Sequence, residues 1–148
     1  MSQVSRKALS KDTEKKLFSI FFNSFTKLSK SSDIQKFLYD LLSPTEATML
    51  AKRLAIAYLL MKGYRYETIK DTVKVSQETI ARINLILKYQ GGGYKMVLDQ
   101  IFLDEKLQVI LQKIEDTAIA LLPRSGLKKG MERERREKRL KNPNPTLG

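Results

Sequence analysis

The sequence contains no cysteine and no histidine among its 148 residues. Without cysteine it can form no disulfide, offers no thiolate nucleophile and lacks the usual zinc ligands of small metal-stabilised domains. Without histidine it lacks the side chain that most often transfers protons near neutral pH. Because these absences exclude most acid–base, triad and metal chemistry, we expect no catalytic residues, no metal site and no cofactor.

Long hydrophobic runs are absent as well. No stretch reaches about 18 apolar residues, the length that predicts a membrane-spanning helix. Residues 1–7 carry charge with no hydrophobic segment directly after it, unlike a secretory signal. The predicted class is a cytoplasmic, soluble protein without membrane contact, with one domain plus tails as the expected organisation.

The charge of the chain is basic and unevenly distributed. There are 28 Lys and Arg against 16 Asp and Glu, for a net charge of +12, which favours a polyanionic partner. The net charge is +4 over residues 1–42, +2 over residues 43–123 and +6 over residues 124–148. Tight binding of a polyanion by the central region would therefore need two copies of it or help from the termini.

The composition divides the chain into three segments. Residues 1–10 are polar and predict a flexible N-terminus, whereas residues 11–122 carry apolar residues at helical spacing. Residues 123–148 form a basic tail with no apolar stripe. The clustered charges of the tail fit either a disordered segment or a solvated single helix.

Two helices are predicted in the first part of the domain. One begins at a cap from Ser10 or Asp12 and runs to about Lys30, and a short one follows the turn at residues 31–33. The first helix has an unusually wide apolar arc: Leu17, Phe18, Ile20, Phe21, Phe22, Phe25 and Leu28. This arc requires burial on more than one side, either by a second copy of the chain or within a core.

The third helix has the clearest start signal. Ser43 is a capping residue, Pro44 suits the first helical position, and Glu46 can bond back to the cap. Gly63 can end this helix in the left-handed conformation. A last helical region is predicted from about residue 94 to 122, where Asp104 and Glu105 are candidates to cap a restart.

Residues 66–87 have the spacing of a helix-turn-helix. The apolar residues that would lock its two short helices across each other are Ile69, Val73, Val75, Ile80 and Ile83. Ser76 can cap the second helix by accepting a hydrogen bond from the backbone N–H of Thr79. Lys74 occupies the turn position where glycine is common because φ is positive. The pattern predicts DNA binding, although any two amphipathic helices with a short link give similar spacing.

The second helix of this unit would present its first turns to a major groove. The candidates for reading bases are Gln77, Glu78, Thr79, Ala81 and Arg82. Glutamine can pair with adenine, arginine with guanine, and the methyl group of threonine can contact thymine, while glutamate either accepts from cytosine or disfavours wrong sites. The candidates for phosphate contacts are Lys70, Lys74 and Ser76. The alternative for each of them is an ordinary solvated helix face.

The region from Leu41 to Leu87 resembles the Trp repressor superfamily, and most closely the Trp-repressor-related helix-turn-helix proteins of the YerC/YecD type. The matching residues are 41–46 (LLSPTE), Lys52, Arg53, Tyr66, Ile69 and 79–84 (TIARIN), with Gly93, Tyr94, Met96 and Val97 further on. The resemblance implies an all-α fold of about six helices and an intertwined homodimer. In such a dimer the first helices and the last helix of each chain pack against the partner.

The resemblance also identifies the positions of an effector site. In Trp repressor, tryptophan lies between the long helix and the recognition helix, contacted by arginines that match Arg53 and Arg82, and Ser43 matches a threonine near the amino group. Ile83 departs from the glycine whose flat surface faces the indole, and its branched side chain would fill that space. We therefore expect no response to tryptophan, and no other small-molecule effector is predicted. The two arginines would then contact phosphate or pair with an acidic residue: Glu46, Glu67 or Asp71.

These observations predict a DNA-binding homodimer that regulates transcription, acting as a repressor by occupying its site. The alternative is a helical interaction or adaptor protein with a vestigial helix-turn-helix, whose basic tail binds RNA or an acidic partner. The balance of only +2 over residues 43–123 and the position of Glu78 favour that alternative. Catalysis ranks third, because the paired carboxylates are adjacent in sequence and point apart on a helix.

Overall fold

The computed structural model describes residues 7–122, which form seven α-helices and contain no strand. The helices are α1 (Lys11–Thr26), α2 (Ser31–Leu41), α3 (Pro44–Met61), α4 (Tyr66–Val73), α5 (Gln77–Tyr89), α6 (Gly92–Leu103) and α7 (Glu105–Ala120). The predicted all-α class is confirmed. The basic tail and residues 1–6 of the predicted flexible N-terminus lie outside the described residues.

The described residues divide into two compact units, one up to Met49 and the other from Leu50 onward, and the boundary lies within α3. Among the described helices, none combines the length and apolar content needed to cross a bilayer. The described residues form seven helices, against about six predicted, because the last predicted helical region consists of α6 and α7. Asp104 separates them, since its Oδ1 accepts hydrogen bonds from the backbone N–H groups of Lys106 (2.9 Å) and Leu107 (3.2 Å), as a helix cap does.

In the first unit, α1 begins at the predicted cap, where the N–H of Thr13 donates to Ser10 Oγ at 3.2 Å. The helix ends at Thr26 and not at Lys30. The N–H groups of Lys27 and Leu28 bond to carbonyls three residues back, each at 3.2 Å. Such bonds tighten the final turn into a 3₁₀ geometry and stop the helix.

The apolar face of α1 is held together mainly by ring contacts. Phe18 stacks on Phe22 with ring centroids 5.8 Å apart, and Phe21 meets Phe25 edge-on at 5.2 Å. Phe25 in turn contacts Phe37 of α2 edge-on at 5.6 Å. Several large apolar side chains of α1 nevertheless stay about half exposed or more: Leu17, Phe18, Ile20 and Phe22. Among the described residues, the wide apolar arc predicted for this helix therefore stays partly exposed.

The start of α3 is the predicted capping box. The N–H of Glu46 donates to Ser43 Oγ at 3.2 Å, and the N–H of Ser43 donates to Glu46 Oε2 at 2.8 Å. Two backbone donors that a helix start leaves without partners are thereby satisfied reciprocally. The expectation that Pro44 is the first helical residue is confirmed.

The second unit is built around the C-terminal half of α3. Residues 56–59, four in succession, are all buried. At 3.6 residues per turn, four consecutive buried positions mean that this segment is covered on nearly every side. The helix ends at Met61, Gly63 follows with a φ of 84°, and the N–H of Tyr64 donates to the carbonyl of Leu59 at 3.1 Å. This is the glycine-terminated helix end that the sequence predicted.

The core of the second unit combines residues from α3 to α7. Its fully or nearly fully buried members are Ile56, Ala57, Tyr58, Leu59, Ile69, Ile80, Ile83, Leu98 and Ala118. Within this unit α4 packs against both α5 and α7, and α6 packs against α7. The first helix of the helix-turn-helix, α4, is therefore supported by α7, which begins more than thirty residues after α4 ends.

The junction between α5 and α6 depends on Gly91. A Cβ at this position would lie 2.7 Å from the Cα and 2.8 Å from the carbonyl oxygen of Leu87, closer than side chains pack. Nothing lies within 4 Å of a Cβ at Gly92 or Gly93. Only the first of the three successive glycines is therefore required by a close backbone approach.

Candidate nucleic-acid interface

The second helix of the predicted motif starts as the sequence indicated. The N–H of Thr79 donates to Ser76 Oγ at 3.2 Å, and α5 follows from Gln77. The hydroxyls of Ser76 and Thr79 also lie 2.9 Å apart and share a hydrogen bond. The hydroxyl of Thr79 thus belongs to the cap, which the sequence did not predict, and only its methyl group is left for an apolar contact.

The two sides of α5 differ sharply in burial. Ile80 and Ile83 are 0% and 3% exposed, so they fix the inner side of the helix against the core. Three of the candidate base-reading residues are exposed, namely Gln77, Glu78 and Arg82, and two are half-buried, namely Thr79 and Ala81. The outer side of the first two turns of α5 is thereby available to a partner.

Arg82 is engaged by an acidic residue on its own helix. One guanidinium nitrogen of Arg82 lies 3.3 Å from Glu78 Oε1, and the two side chains are 73% and 83% exposed. The acidic partner of Arg82 is therefore Glu78, one turn back, and not one of the three residues that the sequence predicted. Exposed pairs four residues apart on a helix contribute only about 0.3–0.5 kcal/mol, so Arg82 can exchange this partner readily.

The turn between α4 and α5 has the positive φ expected at Lys74. Its φ and ψ are 57° and 62°, and among the described residues it is the only non-glycine with positive φ. The ammonium group of Lys52, on α3, donates to the carbonyl oxygen of Lys74 at 3.0 Å. This bond ties the turn to α3. The side chains proposed to contact phosphate are all exposed: Lys70, Lys74 and Ser76.

Replacing Lys74 with glycine should raise the free energy of unfolding by about 1 kcal/mol, because glycine adopts the left-handed conformation without a Cβ clash. Lys74→Ala is the matched control, since it removes the same charge and keeps the strain. Urea denaturation of both variants measures the difference. Equal stabilities for the two would show that the backbone at this turn is not strained.

A side-chain contact between the two helices of the motif was not predicted. Asn84 Nδ2, on α5, donates to the Tyr66 hydroxyl, on the first turn of α4, at 2.7 Å, and both residues are half-buried. Tyr66 and Asn84 are both among the residues on which the family resemblance is based, but no spacing rule pairs residues 18 positions apart on different helices. This bond fixes the N-terminus of α4 to the middle of α5.

The positions that match an effector site are arranged in different ways. Ser43 forms the cap of α3, Arg53 is exposed on α3, and Arg82 pairs with Glu78 on α5. Ile83 is a member of the buried core. Its side chain is therefore packed inside the second unit.

A part-buried carboxylate on α7 binds the end of α3 and the loop that leads into α4. Glu115 accepts hydrogen bonds from the hydroxyls of Tyr58 at 2.8 Å and Tyr64 at 3.0 Å. Lys62 Nζ lies 4.0 Å from the same carboxylate and 5.6 Å from the centre of the Phe102 ring. Burial, with a further contribution from Glu115, raises the pKa of the Tyr58 hydroxyl, so this phenol stays neutral as a donor.

Comparison with known proteins places these elements in a wider context. A model of the Trp repressor protein family matches residues 16–102. The uncharacterized protein YerC of Bacillus subtilis (strain 168) is 34% identical over 80 residues, which are 54% of this chain and 77% of YerC. No solved structure matches the chain significantly. The matched region includes all of α2 to α5 and therefore every candidate residue from Ser43 to Ile83.

Proposed function

The chain belongs to the Trp repressor protein family, and on that premise we propose that it is a sequence-specific DNA-binding regulator of transcription. The observation that carries the proposal is the division of α5, whose inner residues Ile80 and Ile83 are buried while its first turns are exposed on the outside. A capped helix held this way can enter a major groove without distortion of the core. The protein would repress by occupying its site, with no enzymatic step.

Three exposed or half-buried side chains would supply direct readout. Gln77 can pair with the N6 and N7 edge of adenine, and Arg82 with O6 and N7 of guanine. The methyl group of Thr79 can contact thymine, while its hydroxyl remains in the helix cap. The small side chain of Ala81 would let the base edges approach α5 closely. Glu78 accepts from cytosine N4 where the site has one, and repels phosphates elsewhere.

Contacts to phosphate would fix the register of α5 on the duplex. Lys70, Lys74 and Ser76 are exposed around the turn and the start of α5, where they can reach the backbone beside the groove. Residues 124–148, with a net charge of +6, would add attraction that does not depend on sequence. No tryptophan response is proposed, because the buried Ile83 stands where the responsive repressor has glycine.

We further propose that residues 11–122 form one DNA-binding and dimerisation domain and that the protein is a homodimer. The exposed phenylalanines and leucine of α1 support this, since water contact with so much apolar surface is unfavourable. Sedimentation at micromolar concentration should show a single dimeric species. A stable, folded monomer there would contradict the proposal.

Replacing Arg82 with alanine should cost about 1–3 kcal/mol of binding free energy on the preferred site and much less on random DNA. Thr79→Ala should also lower preference, by loss of the methyl contact. Lys88→Ala is the matched control, because it removes a positive charge from the last turn of the same helix. The measurement is a titration of each variant, at matched salt, with the best site recovered by selection and with a scrambled duplex.

The same experiment separates the proposed function from its alternative. If Arg82→Ala loses equal affinity on both duplexes, or if selection recovers no site, the helix-turn-helix does not read sequence. The protein would then be a helical adaptor whose basic residues 124–148 bind RNA or an acidic partner. Deletion of that tail would abolish nucleic-acid binding in the adaptor, but would weaken it uniformly on all sequences in the regulator.

A further inference from the structure

The hydrogen bond between Tyr66 and Asn84 determines what the tyrosine hydroxyl can do next. An amide nitrogen only donates, so the Tyr66 oxygen acts as the acceptor at 2.7 Å and its own hydrogen is not used in this bond. Within residues 7–122 no other side chain or backbone group bonds to that hydroxyl. The phenol is thus held in place as a hydrogen-bond donor toward a further acceptor.

The location of this donor follows from helix geometry. Asn84 comes seven residues after Gln77 on α5, which at 1.5 Å per residue places it about 10 Å further along the helix, two turns later and near the same side. The major groove is about 12 Å wide. When the first turn of α5 meets base edges, the Tyr66 hydroxyl therefore lies toward the wall of the groove, where the acceptors are phosphodiester oxygens.

We propose that Tyr66 donates a hydrogen bond to a DNA phosphodiester oxygen and that Asn84 is the positioning residue that holds its hydroxyl for this contact. The inference rests on the proposed DNA-binding function and adds a contact to it. A phosphate oxygen accepts and never donates, so it matches the free hydrogen of the phenol. The contact orients the duplex without reading its sequence.

A half-buried phenol differs in its effect from an exposed lysine. Its ring is packed, Asn84 fixes its oxygen, and little rotamer freedom remains to be lost when DNA binds. It carries no charge, so it releases no counterion. The contact should therefore set the approach of α4 and α5 to the backbone, and should add nothing to the salt dependence of binding.

The first test is Tyr66→Phe in the full-length chain, titrated with the selected site and with the scrambled duplex over a range of salt. We expect affinity to fall roughly 3- to 10-fold on both duplexes, as for the loss of one hydrogen bond, with an unchanged slope of log K against log salt. Lys70→Ala should instead reduce that slope by about 1. Tyr89→Phe, an exposed tyrosine at the end of α5, is the matched control and should bind as the wild type does.

The role of Asn84 is tested with a double-mutant cycle. Asn84→Ala alone should weaken binding less than Tyr66→Phe, and the double variant should bind no more weakly than Tyr66→Phe, because Asn84 acts through the hydroxyl. A merely structural role for Asn84 would give additive losses. Additive losses on both duplexes would therefore overturn its assignment as the positioning residue.

A neutral methylphosphonate, placed at one phosphate of the selected site at a time, identifies the acceptor. At the contacted phosphate, the difference between wild type and Tyr66→Phe should disappear, and at other phosphates it should persist. Wild-type affinity of Tyr66→Phe on both duplexes would overturn this inference and leave the proposed function standing. If no preferred site can be selected but Tyr66→Phe still weakens DNA binding, the contact would stand and the proposed sequence-specific function would fail. A wild-type protein that binds no DNA would overturn both the contact and the function.

Discussion

Replacing Glu115 with alanine should lower the free energy of unfolding by about 3 kcal/mol, because two hydrogen bonds to a charged acceptor are lost at about 1.5 kcal/mol or more each. The hydroxyls of Tyr58 and Tyr64 lose their shared acceptor, and Tyr58 has only 3% of its surface exposed. The measurement is urea denaturation followed by circular dichroism. Because Glu115 is not among the residues proposed to contact DNA, DNA affinity should fall only in proportion to the folded fraction of the protein.

Two controls define the cause of this loss. Asp116→Ala removes a neighbouring carboxylate that is exposed and that accepts a hydrogen bond from Gln112 at 3.0 Å, and it should change stability little. Glu115→Gln keeps one acceptor oxygen, and should lose about half as much as alanine. A Glu115→Ala protein as stable as Asp116→Ala would contradict the role assigned to the cluster.

The same cluster determines how stability depends on alkaline pH. Because burial and Glu115 raise the pKa of Tyr58 above its ordinary value of 10.0 in the folded protein, its neutral form stabilises the fold at every pH below that ordinary value. That contribution is lost as pH rises toward the folded pKa. Stability should therefore decline above pH 10 more steeply in the wild type than in Tyr58→Phe.

Replacing Gly91 with alanine should destabilise the protein by about 1–3 kcal/mol, the range found when atoms are forced into a packed site. The added Cβ would lie 2.7 Å from the Leu87 Cα, and this neighbour is backbone that cannot rotate away. The junction would have to open, which would move α6 away from α5. Thermal or urea denaturation of Gly91→Ala measures the loss.

Alanine at the two neighbouring glycines should have the opposite effect on stability. A Cβ on Gly92 or Gly93 meets nothing within 4 Å, and both residues are in α6. Alanine at either position should raise stability by about 0.5–1 kcal/mol, because it restricts the unfolded chain and favours the helix. Equal changes in stability for all three alanine variants would show that the close backbone approach at Gly91 does not determine the junction.

The parts of this fold that could be predicted from sequence are those determined by neighbours within a few residues. The capping box of Ser43 and Glu46, the cap of Ser76 and the left-handed ends at Gly63 and Lys74 all occur where expected. Each depends on side chains three or four positions apart or on the φ of one residue. Within the motif, local chemistry therefore marks the end of α4 and the start of α5 correctly.

The contacts that sequence reasoning missed join residues far apart in the chain. Glu115 meets Tyr58 and Tyr64 across separations of 57 and 51 residues, and no periodicity within one helix encodes such a meeting. The partner of Arg82 was missed for a different reason. Several acidic residues were compatible with it, and the choice of Glu78 depends on the rotamers of two exposed side chains.

The support of α4 by α7 has a consequence for the order of events during synthesis. The two helices of the motif are complete once Tyr89 has been added, but Glu115 follows 26 residues later. At about 5–20 residues per second, a ribosome needs roughly 1–5 seconds to reach it. In the finished core, Ile69 and Ile80 belong to the same buried cluster as Ala118. During that interval Ala118 has not yet been added to the chain. Formation of the finished motif therefore has to wait for α7, and only the completed second unit would hold α5 in its final orientation.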